Sequence, residues 1–317
     1  MTGTMRGRSI RIAAAAMLAA LALASTWWRT PVSEGDIGAL EAVALAYPEG
    51  TESGFRVTGL WDMRTSDIRF GGYSALIFAG DDRLLAFADR GRRLEFGQPG
   101  DSDLPASQVD HRPRRGLEQR LWDIESATRN PASGAYWLGY EAEHAIHRFT
   151  ADHRPNGHVL LETARWPDNS GLESLVRLAD GRFLMLPESE ARLYLYPADP
   201  VEGADAVPFP VEWPEAEFAP TDAAELPDGR VLVLMRRVVA GLPPTFDNLI
   251  VVGALPAEGE AFRPEVALWL NRLLPHENYE GMALTPLPDG GAEIWLIADD
   301  NFSAFQRTLL ARLRWQP

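Results

Sequence analysis

The chain repeats one short pattern five times: an acidic or small polar residue, an apolar run, a turn, and a second apolar run ending on a charged residue. The copies open at Gly72-Tyr-Ser-Ala-Leu76, Asp123-Ile-Glu-Ser-Ala127, Gly171-Leu-Glu-Ser-Leu175, Thr221-Asp-Ala-Ala-Glu225 and Asn278-Tyr-Glu-Gly-Met282. Their starts lie 51, 48, 50 and 57 residues apart. Short strands repeating every 40–50 residues or so predict a β-propeller. That fold gathers equivalent positions of every repeat around one axis, so residues far apart in sequence become one site.

Each repeat divides into short apolar strands bounded by Gly, Pro, Asp or Asn. The second, third and fourth repeats divide into four strands, and the first also fits, with a long insertion from Gly97 to Arg115 that carries His111 as a candidate lid residue. The fifth repeat holds only three, and Phe55–Trp61, ahead of the first repeat, is the donor of the missing one. An N-terminal strand that completes the last blade removes an exposed sheet edge. The expected fold is therefore all-β, a five-bladed propeller over 54–317, with six blades as the alternative.

Ahead of it, Arg6, Arg8 and Arg11 precede an apolar run from Ile12 to Ala24, and Ala22-Leu-Ala24 has the small-x-small form of a cleavage site. Residues 1–24 read as a signal peptide, the alternative being an uncleaved anchor. The run falls short of the roughly 20 residues that span a bilayer. Residues 25–53 read as a linker, with a helical stretch at Ile37–Tyr47. The expected location is periplasmic or secreted, without stable membrane insertion after cleavage, and the expected state is a monomer.

Each inner hairpin turns at an Asp- or Gly-rich corner, such as Asp180-Gly181 and Asp228-Gly229. Counting outward from each turn pairs Ser74 with Asp89, Glu125 with Glu141, Glu173 with Glu188, Asp222 with Arg236, and Glu280 with Asp299. If the first strand of every repeat lines the axis, these pairs ring one mouth of the channel. Carboxylates packed that closely repel and raise each other's pKa values. A compensating cation is expected, and oxygen ligands favour Ca²⁺ or Mg²⁺.

Composition narrows the chemistry. No cysteine is present, which excludes thiol catalysis, thiolate-bound zinc and disulfides. All 30 basic residues are arginine, which excludes Schiff-base chemistry. The net charge of −15 disfavours nucleic acid as a partner. There is no Gly-x-Ser-x-Gly elbow for a serine nucleophile, and no histidine shares a motif with Ser74, Ser126 or Ser174.

At these motifs the chain resembles the bacterial "esterase-like activity of phytase" family. The likeness rests on Gly72-Tyr-Ser-Ala-Leu76, Ala88-Asp-Arg-Gly91, Asp123-Ile-Glu125 with Tyr140-Glu141, and Gly171-Leu-Glu173 with Pro187-Glu188. It continues through Thr221-Asp222 to Leu234-Met-Arg236, Asn278-Tyr-Glu-Gly281 and Ala298-Asp-Asp-Asn301, covering about 54–316. The resemblance implies an exported propeller that hydrolyses phosphate esters or esters more broadly. By analogy with calcium-dependent propeller phytases, it implies Ca²⁺ bridging carboxylates and substrate phosphates.

The expected enzyme is thus a metal-assisted hydrolase of a small anionic ester. Asp89, Glu125, Glu173, Glu188, Glu280 and Asp299 are the candidate Ca²⁺ ligands. Arg90 and Arg236 are expected to bind the anion, and Glu141 to act as general base. Ser74, Arg92, Asp222, His276 and Asn301 are candidate ligand contacts. The alternatives are a non-catalytic binding or scaffolding propeller of the cell envelope and a calcium-dependent lactonase-like hydrolase.

Overall fold

The computed structural model describes residues 39–67, 69–80, 82–100, 107–110, 123–161, 166 and 171–316. The proposed signal peptide and His111 lie outside them. Two strands come first, β1 (Glu41–Ala44) and β2 (Phe55–Arg64). The first four-stranded sheet is β3 (Tyr73–Phe78), β4 (Arg83–Ala88), β5 (Arg92–Gly97) and β6 (Ser107–Asp110). The second is β7 (Ile124–Arg129), β8 (Tyr136–Tyr140), β9 (Ala145–Phe149) and β10 (Pro155–Leu160). The third is β11 (Leu172–Arg177), β12 (Phe183–Pro187), β13 (Arg192–Tyr196) and β14 (Val207–Pro210). The fourth is β15 (Ala219–Glu225), β16 (Val231–Val239), β17 (Thr245–Gly253) and β18 (Glu265–Trp269). The fifth is β19 (Asn278–Pro286), β20 (Ala292–Asp299) and β21 (Leu309–Trp315), followed by β2 and then β1.

The chain is a five-bladed β-propeller. Its inner strands adjoin in the order β3, β7, β11, β15, β19 and back to β3, which closes the ring. The closing strand is the expected one: β2 pairs antiparallel with β21 from Phe55 opposite Trp315 to Asp62 opposite Leu309. The stretch expected to be helical is instead β1, paired outside β2 from Glu41 opposite Arg64 to Ala44 opposite Trp61. Local propensity loses there to the unpaired edge that β2 would otherwise present.

The core explains why so many strands are apolar on both faces. Side chains alternate across a strand, and each blade is covered on both sides. In β8, Tyr136, Leu138 and Tyr140 pack with Ile77 and Phe87 of the first blade, whereas Trp137 packs with Phe183 and Met185 of the third. In β16, Val231, Val233 and Met235 face the third blade, and Leu232 and Leu234 face the fifth. Trp61 stacks on Trp295, ring centroids 5.6 Å apart, where the fifth blade meets the first. Each fully buried aromatic or aliphatic side chain contributes about 1.5–3 kcal/mol.

The inner strands have one edge without a strand partner, and neighbouring blades supply it. Ser126 Oγ donates to Leu172 O (2.9 Å), Thr128 Oγ1 accepts from Arg177 N (2.8 Å), and Glu225 accepts from Ala179 N (2.6 Å). These bonds fix the rotation of the second blade relative to the third and of the third relative to the fourth, and with it the positions of their side chains at the channel ends.

Candidate functional site

All five inner hairpins carry a β-bulge at the same place, one residue from the channel mouth. The bulged residues are Ser74, Glu125, Glu173, Thr221 and Glu280. A bulge leaves its extra residue outside the ladder and re-aims its side chain. Simple counting from the turns cannot anticipate it, so the expected pairs shift. Asp89 N bonds Gly72 O (2.9 Å), Glu141 N bonds Asp123 O (2.9 Å), and Glu188 N bonds Gly171 O (3.2 Å). Arg236 lies opposite Ala219, and Asp299 opposite Asn278. The pairings Ser74–Asp89, Glu125–Glu141, Glu173–Glu188 and Glu280–Asp299 are therefore corrected by two residues, and Asp222–Arg236 by three, although the acids still converge on one mouth.

The tightest group is Asp123, Glu125 and Glu141 of the second blade, whose carboxylate oxygens lie within 4.8 Å of one another. Asp123 was not among the candidate residues. It stands in the Asp-Ile-Glu motif, and only the bulge brings it opposite Glu141. Glu141 is held from behind, its Oε1 accepting Gly171 N at 2.9 Å. A side chain at 171 would collide with it, since a Cβ there would stand 2.9 Å from Glu141 Cγ.

The third blade adds Glu173, 7% exposed and without a hydrogen-bond partner among the described residues, and Glu188. Burial holds the Glu173 carboxyl well above the usual range against the opposing effect of Arg236, with Glu188, Glu141 and Asp123 adding to the rise. Burial likewise raises Glu125, and then Glu173, Asp123, Glu141 and Asp89 push it further. Glu141 is pushed by burial to about 7 despite the Gly171 N–H. These mutual influences bring acids of the first, second and third blades close to one another.

On the far side of that opening, Arg236 ion-pairs with Glu280 and donates to Asn278 Oδ1 (2.7 Å), while its other amine lies 4.0 Å from Glu188. Asn278 Nδ2 donates to Glu280 Oε1 (2.7 Å) and is fully buried. Between the first and fifth blades, burial and then Asp299 raise Asp89 to about 8, and its Oδ1 is buried without a partner. Burial raises Asp299 to about 7, opposed by the bond its Oδ1 accepts from Asn301 N (2.7 Å). Arg90 lies over the Phe302 ring, 3.5 Å from its centroid. Phe302 is itself held by Asp300, whose Oδ1 accepts Phe302 N (2.9 Å) and Gly72 N (3.1 Å). Charge is thus unevenly shared: Arg236 pairs with Glu280 and holds back the rise at Glu173, whereas burial and neighbouring acids raise Glu125.

Of the expected site residues, Asp89, Glu125, Glu141, Glu173, Glu188, Glu280, Asp299, Arg90 and Arg236 stand at this mouth, and Ser74 occupies the bulge of the first blade. Four do not join them. Asp222 is 1% exposed and accepts Ala223 N (2.8 Å) and Met282 N (2.6 Å), tying the fourth blade to the fifth; the bulge belongs to Thr221 instead. Arg92 is 3% exposed and donates to Arg69 O (2.5 Å), anchoring the approach to β3. His276 is exposed and bonds Asp247 (3.1 Å), which also pairs with Arg237. Asn301 spends its side chain on Gln306 (2.7 Å) and reaches the site only through its backbone. Asn278 and Asp300, like Asp123, are contributors that the motifs contained but that pair counting passed over.

The sequence profile of the family described as "Esterase-like activity of phytase" matches residues 68–302. The chain belongs to this phytase-like family. No curated protein matches the sequence. Among solved structures, it is similar to a luciferin-regenerating enzyme at 14% identity, over 88% of this chain and 95% of that one, with a TM-score of 0.46. It is similar to virginiamycin B lyase from Staphylococcus aureus at 10% identity, over 87% of this chain and 100% of that one, with a TM-score of 0.44. These likenesses are distant.

Proposed function

We propose that the protein is an exported, cation-dependent hydrolase of small anionic esters, with phosphate esters the first class to test. The family supports ester chemistry in general, and the acidic mouth supports a cation. The observation that carries the reading is the Asp123, Glu125 and Glu141 oxygens within 4.8 Å of one another, beside the buried, unpartnered Glu173. The donor set fits a hard divalent ion, Ca²⁺ above all, because every ligand is a carboxylate oxygen. Asp123, Glu125, Glu141 and Glu173 would hold it. Such an ion, when bound, polarises an ester oxygen and makes water a better nucleophile at neutral pH.

The chain's own groups supply the rest. Arg90, steadied on Phe302, and the Arg236 amine turned toward Glu188 are placed to take the anionic end of a substrate. Glu141 moves from the expected role of base to that of ligand, because it belongs to the tight acidic group. Asp89, whose carboxyl burial and then Asp299 push up to about 8, is the candidate acid for a departing alkoxide. Export to the periplasm or beyond, and a monomeric state, complete the reading.

Purified protein assayed with p-nitrophenyl phosphate and p-nitrophenyl acetate, with Ca²⁺ or with EDTA, tests it. Turnover that calcium restores after chelation is the expected result. No turnover on either ester, with calcium still raising the melting temperature, would replace the enzyme by a cation-stabilised binding propeller. No response of either kind would remove both.

A further inference from the structure

The opposite end of the channel holds a second feature that the ester chemistry does not use. The acids stand near the starts of the inner strands. Four residues on, about 13 Å along a strand at ordinary rise, the same strands end around a cavity of about 810 Å³. Small and aliphatic side chains from every blade wall it, among them Leu76, Ala127, Leu175, Ala223 and Met282. A volume of this size is in the range of pockets for small organic molecules, which pair apolar walls with a few convergent polar groups.

The polar groups at its rim are unequal in what they have left to offer. Glu225 already accepts Ala179 N (2.6 Å), and Glu293 accepts Trp295 Nε1 (2.8 Å). Arg129 and Arg177 close the inner strands of adjacent blades and line the same cavity. Arg129 donates one amine to Phe78 O (3.0 Å), and Arg177 reaches Leu178 O at 3.4 Å. Neither forms an ion pair, and their remaining N–H groups meet no acceptor among the described residues. In a chain with 45 acidic residues against 30 basic ones, two guanidiniums with no ion-paired carboxylate at one rim stand out, Arg177 acting on Asp180 only from beyond ion-pair distance. They are held in place by backbone carbonyls, which lowers the entropy cost of using the donors that remain.

We propose that this cavity binds a small organic anion with an apolar body, such as an aliphatic carboxylate, its charged end taken by Arg129 and Arg177. The walls would cover the hydrocarbon, and the two forks would take the carboxylate oxygens. The site is independent of the acidic mouth, so a failure of the hydrolase reading leaves it standing, and the converse also holds.

Calorimetric titration of the full chain with octanoate in EDTA tests it, with octylamine as the cationic control of equal length. Saturable binding of octanoate at one site is expected, with no binding of octylamine. Ala224→Phe, or Thr285→Phe if the first variant does not fold, should abolish it by filling the cavity. Arg129→Gln combined with Arg177→Gln should weaken it roughly tenfold or more. Near-UV circular dichroism establishes that each variant is folded. Absence of saturable binding, equal binding of octylamine, or an affinity unchanged in the folded variants would overturn the proposal.

Discussion

Replacing Glu141 by Gln should stabilise the cation-free protein at pH 8 while costing it calcium. Glu141 titrates at about 7 rather than 4.5, with burial the main cause. Its folded pKa lies above its unfolded one, so the folded state holds the proton more tightly. The associated stability is complete below about pH 4.5 and is lost as the pH rises toward 7. Integrated between the two values, the loss is about 3 kcal/mol at pH 8 and under about 1 kcal/mol at pH 5. Gln keeps an oxygen for the Gly171 N–H and carries no charge, so it removes this penalty. For a chain of this size about 3 kcal/mol corresponds to roughly 5 °C or more in melting temperature. The assay is thermal unfolding of both proteins in EDTA at pH 5 and pH 8. The variant should melt higher at pH 8 and nearly level with the parent at pH 5. Added calcium should raise the parent more than the variant and erase the difference. A variant that melts lower than the parent at pH 8 in EDTA would refute the reasoning, because Glu141 would then be stabilising its surroundings as an anion.

Asp222→Asn should cost about 1–3 kcal/mol, since the Ala223 and Met282 N–H groups address different carboxylate oxygens and the amide NH₂ would meet one of them. Calcium affinity should be unchanged, as read by denaturant unfolding alongside calorimetry. Arg236→Gln should raise KM for an anionic ester by roughly tenfold or more while leaving KM for a neutral ester nearly unchanged. Equal effects on both esters would take Arg236 out of substrate binding.

Much of this fold was legible because a propeller writes itself repeatedly. The spacing of the motifs, the Asp-Gly turns and the orphan strand at Phe55–Trp61 led to five blades and to the closing strand. The acids at the mouth were legible for the same reason: Glu125, Glu173 and Glu280 occupy equivalent places in their repeats. What pair counting missed was the bulge, which adds a residue to the inner strand without adding one to its partner. That residue, together with a ladder set one residue away from the counted register, is why Asp123 rather than Glu125 faces Glu141; in the fourth blade the bulge falls at Thr221 rather than Asp222. The strand at Glu41–Ala44 was hidden because its residues are exposed, and nothing in their own pattern signals the edge they cover. Arg92 and Asn301 were misjudged from nearness in sequence, while their side chains turn to Arg69 and Gln306.

The claim that supports the rest is that a hard cation belongs among the second- and third-blade carboxylates. Calorimetric titration of chelator-stripped protein with calcium, beside a variant carrying Glu125→Gln and Glu173→Gln, measures it directly. The parent should bind calcium at one saturable site that the folded variant lacks. A parent that takes up no calcium, or a variant that binds it equally well, would contradict the account.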